Sequence, residues 1–175
     1  GSAAFELERL DEAREAFEEA HLLDPAEVGA TFMLGVTSRR QGQLDVAVKY
    51  LAEAAVRDPN LMQALVELGI AYAALERHAD AERVCREVLA KDPENIEARI
   101  GLAVALYHQD EDSAAVSEFR EALELDPDNL RAHYGLGLAL VYSGDTRSAI
   151  KEVVYLNSRD PELAADLHEW VFPDD

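Results

Sequence analysis

Several residue types are scarce in this chain, and each scarcity argues against a class of protein. The sequence has one cysteine in 175 residues, so it cannot form an internal disulfide. No apolar run approaches the roughly 18 residues of a membrane-spanning helix, so we expect no direct membrane insertion. Basic residues number 16 against 36 acidic ones and form no basic stripe. Nucleic acid is therefore not expected as a ligand, because phosphate binding requires such a stripe.

Proline is also rare, yet five of the six prolines follow an aspartate at a fixed interval. The pairs recur every 34 residues, as Asp24-Pro25, Asp58-Pro59, Asp92-Pro93, Asp126-Pro127 and Asp160-Pro161. An unbroken period of this length indicates a solenoid, in which each repeat packs against its neighbours. Because Asp is favoured as an N-cap and Pro at the first helical position, each pair is expected to begin a helix.

Two further columns, meaning positions that recur every 34 residues, predict how the helices pack. A leucine followed by a very small residue occurs once per repeat, at Leu34-Gly35, Leu68-Gly69, Leu102-Ala103 and Leu136-Gly137. An alanine stands twelve residues before each proline of the series, at Ala13, Ala47, Ala81, Ala115 and Ala149. Small residues at helical spacing allow two helices to cross at short range. We therefore expect each repeat to be a helix, a tight turn and a second helix.

The predicted turns differ in one residue. Gly42 and Gly144 occupy the same place in two of the turns, where Glu76 and Asp110 stand in the other two. Glycine adopts left-handed backbone conformations without the steric cost that a β-carbon brings. The turns at Glu76 and Asp110 are therefore expected to be strained or differently shaped.

These columns resemble the tetratricopeptide repeat (TPR) family, whose pattern is Trp-x-x-Leu-Gly-x-x-Tyr…Ala…Phe…Ala…Pro. The repeat at 62–95 follows it most closely, with Leu65, Leu68, Gly69, Tyr72, Ala81, Cys85, Val88 and Pro93 in the pattern positions. The other repeats depart from it at the tryptophan position, which holds Thr31, Arg99 and His133. The resemblance implies an all-α fold, a right-handed α-solenoid of 34-residue helix-turn-helix units with a C-terminal capping helix.

The resemblance covers nearly the whole chain and implies a single array over residues 1–172. Its parts are a partial repeat at 1–27, full repeats at 28–61, 62–95, 96–129 and 130–163, and a capping helix at 161–172. The cap is expected to place Leu167, Trp170 and Val171 in the core. Gly1-Ser2 is typical of a remnant of tag removal. Since the first repeat is incomplete, the array is expected to continue upstream, which would make this chain a fragment truncated at its N-terminus.

Acidic residues are concentrated outside the first helix of each repeat. The first-helix segments 28–41, 62–75, 96–109 and 130–143 contain Glu67 and Glu97 against Arg39, Arg40, Arg99 and Arg131, a balance of 4 − 2 = +2. The remaining residues carry 12 − 34 = −22. In the TPR family the second helices form the outside and the first helices line a concave groove. We interpret the acidic outside as a solvated surface that favours solubility, in preference to an acidic docking face.

The family's groove positions predict a peptide-binding surface on the first helices. The candidates are Phe32, Val36, Arg39, Arg40, Val66, Ile70, Ile100, Val104, Tyr107, His108, Arg131, Tyr134, Leu138 and Tyr142. The fifth and ninth residues of every full repeat are apolar, and a long exposed apolar stripe usually marks a binding site. An apolar or amphipathic partner segment would fit it, with the four aromatic candidates as anchors. The alternative is that superhelical curvature buries these side chains as ordinary core.

A two-carboxylate clamp cannot be assembled from these positions. Family members that bind the acidic C-terminal tails of chaperones use Lys and Asn at the fifth and ninth positions, where this chain has only apolar side chains and Tyr134. Arg39, Arg40 and Arg131 could hold one carboxylate at a groove edge. Solvated arginines at helix ends are the simpler interpretation.

No combination of residues predicts catalysis. The histidines are His21, His78, His108, His133 and His168. None has metal-ligand spacing to another on one helix, although neighbouring repeats could bring His108 and His133 together. There is no Gly-rich phosphate loop, and no Ser or Cys has a base partner. Cys85 stands at a helix-packing position and is expected to be a small core residue. We therefore predict a non-enzyme without catalytic residues, metal or cofactor.

Three functions remain open from the sequence. The leading one is a scaffold that binds a protein or peptide partner in the concave groove. The second is self-association, in which the exposed helix of the incomplete first repeat docks on another copy and forms a homo-oligomer. The third is the partner-recruiting TPR region of a larger enzyme. No signal peptide is visible, which slightly favours the cytoplasm unless an upstream signal or anchor has been removed.

Overall fold

The structure, a computed structural model, describes residues 2–173, with side chains from residue 9 onward. Gly1, half of the Gly1-Ser2 pair that the sequence analysis expects to be a tag remnant, lies outside the described residues. Within residues 2–173 all regular secondary structure is α-helical, which confirms the predicted all-α fold. The helices are α1 Ser2–Leu23, α2 Val28–Arg40, α3 Leu44–Arg57, α4 Met62–Ala74, α5 His78–Lys91, α6 Ile96–Tyr107, α7 Asp112–Leu125, α8 Leu130–Tyr142, α9 Thr146–Asn157 and α10 Pro161–Val171.

The helices are arranged in two compact units, and the boundary between Val84 and Cys85 falls within α5. In the first unit α2 packs against α1 and α3, and α3 packs against α4. In the second unit α6 to α10 pack in chain order, each against the next, and α8 also contacts α6 and α10. Within each unit these successive helices are thus neighbours in space, as expected of helix-turn-helix repeats.

Small residues allow the helices of the first unit to approach closely. Ala47 and Ala54 of α3 are fully buried, and so is Leu51 between them. A β-carbon at Gly35 of α2 would lie 2.6 Å from Cγ of Leu51, closer than carbon atoms can approach. Leu34, beside this glycine, is 1% exposed. The Leu-Gly and alanine columns therefore have the predicted role at this crossing.

The second unit has a core to which each of its helices contributes. Fully or almost fully buried large side chains come from α6 to α10 in turn, and they are Leu106, Phe119, Leu140, Leu156 and Leu167. The alanine column is buried beside them, at Ala115 and Ala149. Cys85 also belongs to this core, as predicted, and burial raises the pKa of its thiol to about 11. A thiol with so high a pKa is a weak nucleophile at neutral pH.

The last helix, α10, caps the second unit, but its tryptophan is not among the side chains that it buries. Ala164, Leu167 and Val171 are buried, at a spacing of three and four residues. Leu167 packs where Gly137 leaves room, since a β-carbon at Gly137 would collide with it. Trp170 is 50% exposed, so its predicted burial is wrong. Trp170 lies about 100° around the helix from Val171 and about 60° from Leu167, at the edge of the buried stripe.

The Asp-Pro pairs end one helix more often than they begin the next, which corrects the predicted capping role. Asp58 and Asp126 are the C-caps of α3 and α7. Helices α2, α4, α6 and α8 each begin three residues after the proline. The prediction holds at α10, where Pro161 is the first residue and Asp160 accepts a hydrogen bond from the backbone N–H of Leu163.

In two of the turns an asparagine, and not the aspartate of the Asp-Pro pair, is the N-cap of the next helix. The Asn95 side chain accepts from the N–H of Ala98 at 3.0 Å, and Asn129 accepts from the N–H of Ala132 at 3.1 Å. Each asparagine amide also donates to the aspartate three residues earlier. The aspartate thus organises the turn, and the helix begins only when the asparagine caps it.

Arg99, at the family's tryptophan position, ties an Asp-Pro turn to the second helix of its own repeat. Its guanidinium donates to the carbonyl of Pro93 at 2.6 Å and to the carboxylate of Glu118 at 2.9 Å, and also to Glu121. Arg99 itself is largely buried, with 13% of its side chain exposed. A charged network therefore replaces the packing that a tryptophan would supply here.

His133 stands one repeat after Arg99 and makes the equivalent contacts. Its Nε2 lies 3.0 Å from the carbonyl of Pro127, and its Nδ1 lies 2.6 Å from Glu152. Its ring stacks on Tyr155 with 3.6 Å between ring centres. With both nitrogens engaged by oxygen acceptors, His133 is a structural residue and is not available to pair with His108 as a metal ligand.

The two turns without glycine adopt the left-handed backbone that the sequence predicted to be strained. Glu76 has φ of 58° and Asp110 has φ of 61°, close to the 75° of Gly42 and the 85° of Gly144. The turn geometry is thus shared, and two of the turns adopt it with a β-carbon present. A residue with a β-carbon in this region costs roughly 1–2 kcal/mol.

We predict that Glu76→Gly stabilises the protein by up to about 1 kcal/mol. Relief of the left-handed strain exceeds the roughly 0.5–1 kcal/mol that glycine loses through its flexibility in the unfolded chain. Asp110→Gly should gain less, because aspartate tolerates this conformation better. Urea unfolding of both variants measures the difference, with Gly144→Ala as the control that should destabilise. A destabilised Glu76→Gly protein would contradict this account.

Candidate peptide-binding surface

In the first unit, the predicted groove residues of α2 and α4 differ in exposure. Phe32 and Val66 are half-buried, and Ile70 is 36% exposed. Val36 is only 7% exposed, so it is a core residue and is corrected as a groove candidate. The open apolar surface of this unit therefore consists of Phe32, Val66 and Ile70.

The arginines of the first unit lie at the C-terminal end of α2. Arg39 donates through Nε to Glu67 of α4 at 2.6 Å, and both side chains are about three-quarters buried. A partner's carboxylate would have to displace Glu67 in order to bind Arg39. Arg40 is exposed and is the last residue of α2, as expected of a solvated arginine at a helix end.

In the second unit, the predicted groove residues of α6 and α8 are also divided. Val104, Tyr134 and Leu138 are half-buried. Ile100 is 1% exposed and belongs to the core, which corrects its assignment to the groove. Ile100 is therefore buried as ordinary core, which was the alternative interpretation of the groove positions. The α8 candidates Tyr134 and Leu138 keep part of their surface exposed to solvent.

Arg131 of α8 pairs with an acidic residue of the preceding first helix, whereas Arg39 pairs with one of the following first helix. Its guanidinium lies 3.1 Å from Glu97 of α6, and more than half of each side chain is exposed. An ion pair exposed to this degree contributes little to stability. Because it is open to solvent, it is also easily exchanged for another partner.

Three aromatic side chains line up across the C-terminal ends of α6, α8 and α10. Tyr107 and Tyr142 are the last residues of α6 and α8, and Trp170 is the last but one of α10. The rings of Tyr107 and Tyr142 meet edge to face with centres 5.4 Å apart, and those of Tyr142 and Trp170 are 6.1 Å apart. We call Tyr107, Tyr142 and Trp170 the aromatic row.

The aromatic row is open to solvent. Tyr142 is 52% exposed and Trp170 is 50% exposed, whereas Tyr107 is half-buried. The predicted anchors Tyr107 and Tyr142 are thus brought together, and Trp170 joins them although the sequence reasoning placed it in the core. Its spacing gives little signal, because Trp170 lies three residues after the buried Leu167 and four after the exposed Asp166, at the border between two faces of α10.

Tyr134 of α8 lies next to the aromatic row and is held by α10. Its hydroxyl donates a hydrogen bond to Asp166. Burial, together with this bond to a carboxylate, raises the pKa of Tyr134 to about 12. Burial also raises the pKa of Tyr107, and the hydrogen bond with Tyr142 adds to this effect. Both phenols are therefore neutral at physiological pH.

The turn that follows α6 is strongly acidic. Asp110, Glu111 and Asp112 line a shallow depression of about 350 Å³ together with Ser113, Ala114 and Ser143. Asp112 is close enough to Tyr107 for its charge to help raise the pKa of that phenol. His108, the C-cap of α6, is exposed, and its ring contacts Tyr107 with centres 5.2 Å apart. The end of α6 thus combines aromatic and anionic groups.

Two kinds of feature are absent from the described part of the chain. Among those residues, no three His, Cys, Asp or Glu side chains are grouped so that they could bind a metal ion. No helix within the same residues has the combination of length and apolar character that spanning a bilayer requires. Large exposed apolar side chains occur on second helices as well, for example Val56 and Val154, and the Tyr142 and Trp170 rings differ from these in contacting each other.

Comparison with protein families agrees with the helix pairs and their spacing. A tetratricopeptide repeat model matches residues 1–61, 66–129 and 113–155. The chain belongs to the tetratricopeptide repeat family. TPR folds are typical of protein–protein interaction scaffolds, and the family is generally non-catalytic. A comparison with curated proteins found no match.

Solved TPR structures are similar to this chain over most of its length. MamA from Desulfovibrio magneticus RS-1, residues 41 to the end, superposes with a TM-score of 0.80 at 20% identity, over 86% of this chain and 88% of that one. TTC0263 from Thermus thermophilus gives 0.75 at 19% identity, over 98% and 95%. YrrB, a TPR protein with an unusual peptide-binding site, gives 0.72 at 18% identity, over 93% and 95%. At these identities the likeness shows the fold.

We predict that Tyr134 ionises about two pH units later than an unperturbed tyrosine. Its pKa is raised from 10.0 to about 12, so between these values the folded protein binds more protons than the unfolded chain. The contribution of Tyr134 to stability is therefore full below pH 10.0 and is lost as the pH rises through this window.

An absorbance titration of the phenolate, compared with that of Tyr134→Phe, isolates this group. The variant should lack the component that titrates near pH 12, and its stability should fall less steeply in the same window. A Tyr134 component that titrates with the unperturbed tyrosines would show that this side chain is more open than the structure has it.

Proposed function

We propose that the protein is a non-catalytic interaction scaffold that binds an apolar or amphipathic peptide segment of a partner protein. The site is the first-helix face of the second unit, around the aromatic row and Tyr134. The observation that carries the proposal is the contact between the half-exposed rings of Tyr142 and Trp170. Large aromatic side chains that stay open beside a well-packed core are typical of interaction surfaces.

Burial of these rings by a partner would supply substantial binding free energy. Covering the exposed half of a tyrosine or tryptophan removes on the order of 100 Å² from water, which is worth roughly 2 kcal/mol. The rings are already held by contacts with one another, so little side-chain entropy is lost on binding. The aromatic row is therefore suited to anchor a partner.

Half-buried residues of α8 extend the surface beyond the row. Tyr134, Leu138 and Tyr142 follow at intervals of four residues, so they lie along one side of the helix. Leu138 supplies an apolar contact, and the fixed hydroxyl of Tyr134 supplies a polar one. Apolar anchors at one helical turn apart with a polar group beside them suit an amphipathic segment.

The first unit offers a separate and smaller apolar surface. It consists of Phe32, Val66 and Ile70, with the Arg39–Glu67 pair nearby in the same two helices. We propose it as a second contact region of the same kind. The similarity to YrrB, whose description includes a peptide-binding site, supports this function at the level of the shared fold.

Self-association is a second candidate, and a specific observation favours it. Leu22 and Leu23, at the end of α1, are 80% and 81% exposed. Two adjacent leucines open to this degree would be covered if another copy docked on them. Light scattering over a range of protein concentrations tests this, with Leu22→Ser/Leu23→Ser as the comparison. A mass that stays monomeric at every concentration would exclude it.

We predict that Tyr142→Ala and Trp170→Ala each weaken the binding of selected peptides by about 2 kcal/mol, or roughly thirtyfold in Kd. A peptide-display selection on the parent protein supplies the peptides, and anisotropy of a labelled peptide measures Kd. Both side chains are half-exposed, so helicity and the unfolding midpoint should change little.

The matched control is Val154→Ala in α9, which removes a 68% exposed apolar side chain from a second helix. It should leave peptide binding unchanged. Peptides that bind the parent, the control and both aromatic variants equally would refute the proposed site. Loss of helicity in both aromatic variants would also refute it, because the rings would then be part of the folding core.

A further inference from the structure

We infer, on the basis of the proposed function, that the bound segment presents a lysine or arginine side chain to the aromatic row. The row would receive the cation on the ring faces of Tyr142 and Trp170, beside the carboxylate of Asp166. Four properties of the second unit lead to this inference, namely the ring geometry, the helix ends, the neighbouring carboxylates and the positions of the basic residues.

The first property is the exposure and orientation of the rings. Tyr142 meets Tyr107 at an interplanar angle of 79° and Trp170 at 44°, so the Tyr142 and Trp170 rings are not stacked face on face. Both are about half-exposed. A cation is attracted to the face of an aromatic ring, most strongly to that of tryptophan. Unstacked, exposed rings therefore leave faces that a cation can reach.

The second property is the position of the row at helix C-termini. Tyr107 and Tyr142 end α6 and α8, and Trp170 lies in the last turn of α10. The last carbonyl groups of a helix carry a partial negative charge, equivalent to about half an elementary charge. Three such ends in one unit therefore favour a cation at the row and disfavour an anion.

The third property is that carboxylates lie close to the aromatic row. Asp166 lies one turn before Trp170 on α10 and reaches the neighbouring Tyr134 hydroxyl. Asp110, Glu111 and Asp112 follow directly after the helix that ends in Tyr107. In the portion of the chain that the structure describes, none of these carboxylates forms an ion pair with a lysine or arginine side chain. They remain able to pair with a cation from outside.

The fourth property is that most basic side chains of the second unit interact with groups outside the aromatic row. Residues 85–175 contain 8 Lys and Arg against 20 Asp and Glu, a formal charge of 8 − 20 = −12. Arg99 binds Glu118, Arg131 binds Glu97, and Arg159 lies over the ring of Tyr155. Arg120 and Lys151 act on the charge of Asp145. None of these arrangements brings a cation to Tyr142 or Trp170.

The occupant follows from these properties together. An acidic segment would meet uncompensated carboxylates and helix ends of the same sign, which costs binding free energy. A purely apolar segment would cover the rings but would also desolvate Asp166, whose partner is the neutral Tyr134 hydroxyl, without giving it a cation. A segment with a lysine or arginine between apolar residues covers the rings and pairs with Asp166. We therefore assign the partner class as a basic amphipathic peptide.

The test uses peptides taken from a random display library selected on the parent protein. The prediction is that peptides enriched over a Tyr142→Ala/Trp170→Ala variant contain a lysine or arginine flanked by apolar residues. Each is then synthesised with that residue replaced by a neutral isostere, norleucine for lysine or citrulline for arginine. The neutral peptide should bind the parent about three- to thirtyfold more weakly.

Protein variants locate the cation at the row. Trp170→Leu keeps an apolar side chain but removes the ring face, so it should abolish most of the difference between charged and neutral peptides. Asp166→Asn should reduce that difference in part, and Glu124→Gln, which changes an exposed carboxylate on α7, should leave it unchanged. The charged peptide alone should lose affinity as salt is raised.

Failure of the inference is distinguishable from failure of the proposed function. If the enriched peptides lack basic residues, or if the charged and neutral forms bind the parent equally, the inference is wrong and the apolar groove stands. If Glu124→Gln lowers the difference as much as Asp166→Asn, the attraction is a general effect of net charge and the inference is wrong. If no peptide is enriched over the double variant, the proposed function fails.

Discussion

The close approach of paired helices at small residues is the constraint on which the structure depends. Ala47 and Ala54 in the first unit, and Ala115 and Ala149 in the second, have no exposed surface. A larger side chain at these positions would push the helices apart, because interiors are packed too densely to absorb it. The 34-residue period repeats this crossing, so successive first helices bury equivalent sides. The same crossing geometry determines which side chains of the first helices remain exposed to solvent.

The first helices of the second unit show how one helix supports both packing and recognition. Leu136 and Leu140 of α8 are buried, whereas Tyr142, two residues further on, is half-exposed. Two residues correspond to about 200° around a helix, which turns the ring away from the core. The last turns of α6, α8 and α10 therefore place aromatic side chains at the edge of the packed region. The acidic turn after α6, together with Asp166 of α10, gives that edge its electrostatic character.

Much of the fold could be predicted from the sequence because it depends on local pattern. The helix pairs, the small-residue crossings and the left-handed turns at Glu76 and Asp110 all follow from periodicity and backbone sterics. Side-chain exposure could not be predicted in the same way, because it depends on which neighbouring helix covers a residue. The sequence predicted Ile100 to be exposed in the groove and Trp170 to be buried in the core, and the structure has the reverse. Family groove positions identify a helix face but do not say which of its residues a neighbour covers.

The central claim is that the aromatic row is an open surface and not part of the core. Trp170 is the single tryptophan of the chain, so its fluorescence reports on the row without ambiguity. The most direct measurement is acrylamide quenching of this fluorescence in the native protein, with the urea-unfolded chain as the reference for full access. We predict that native Trp170 is quenched at about half the unfolded rate constant, in line with its 50% exposure. Native fluorescence that is blue-shifted and shielded from acrylamide would contradict the account.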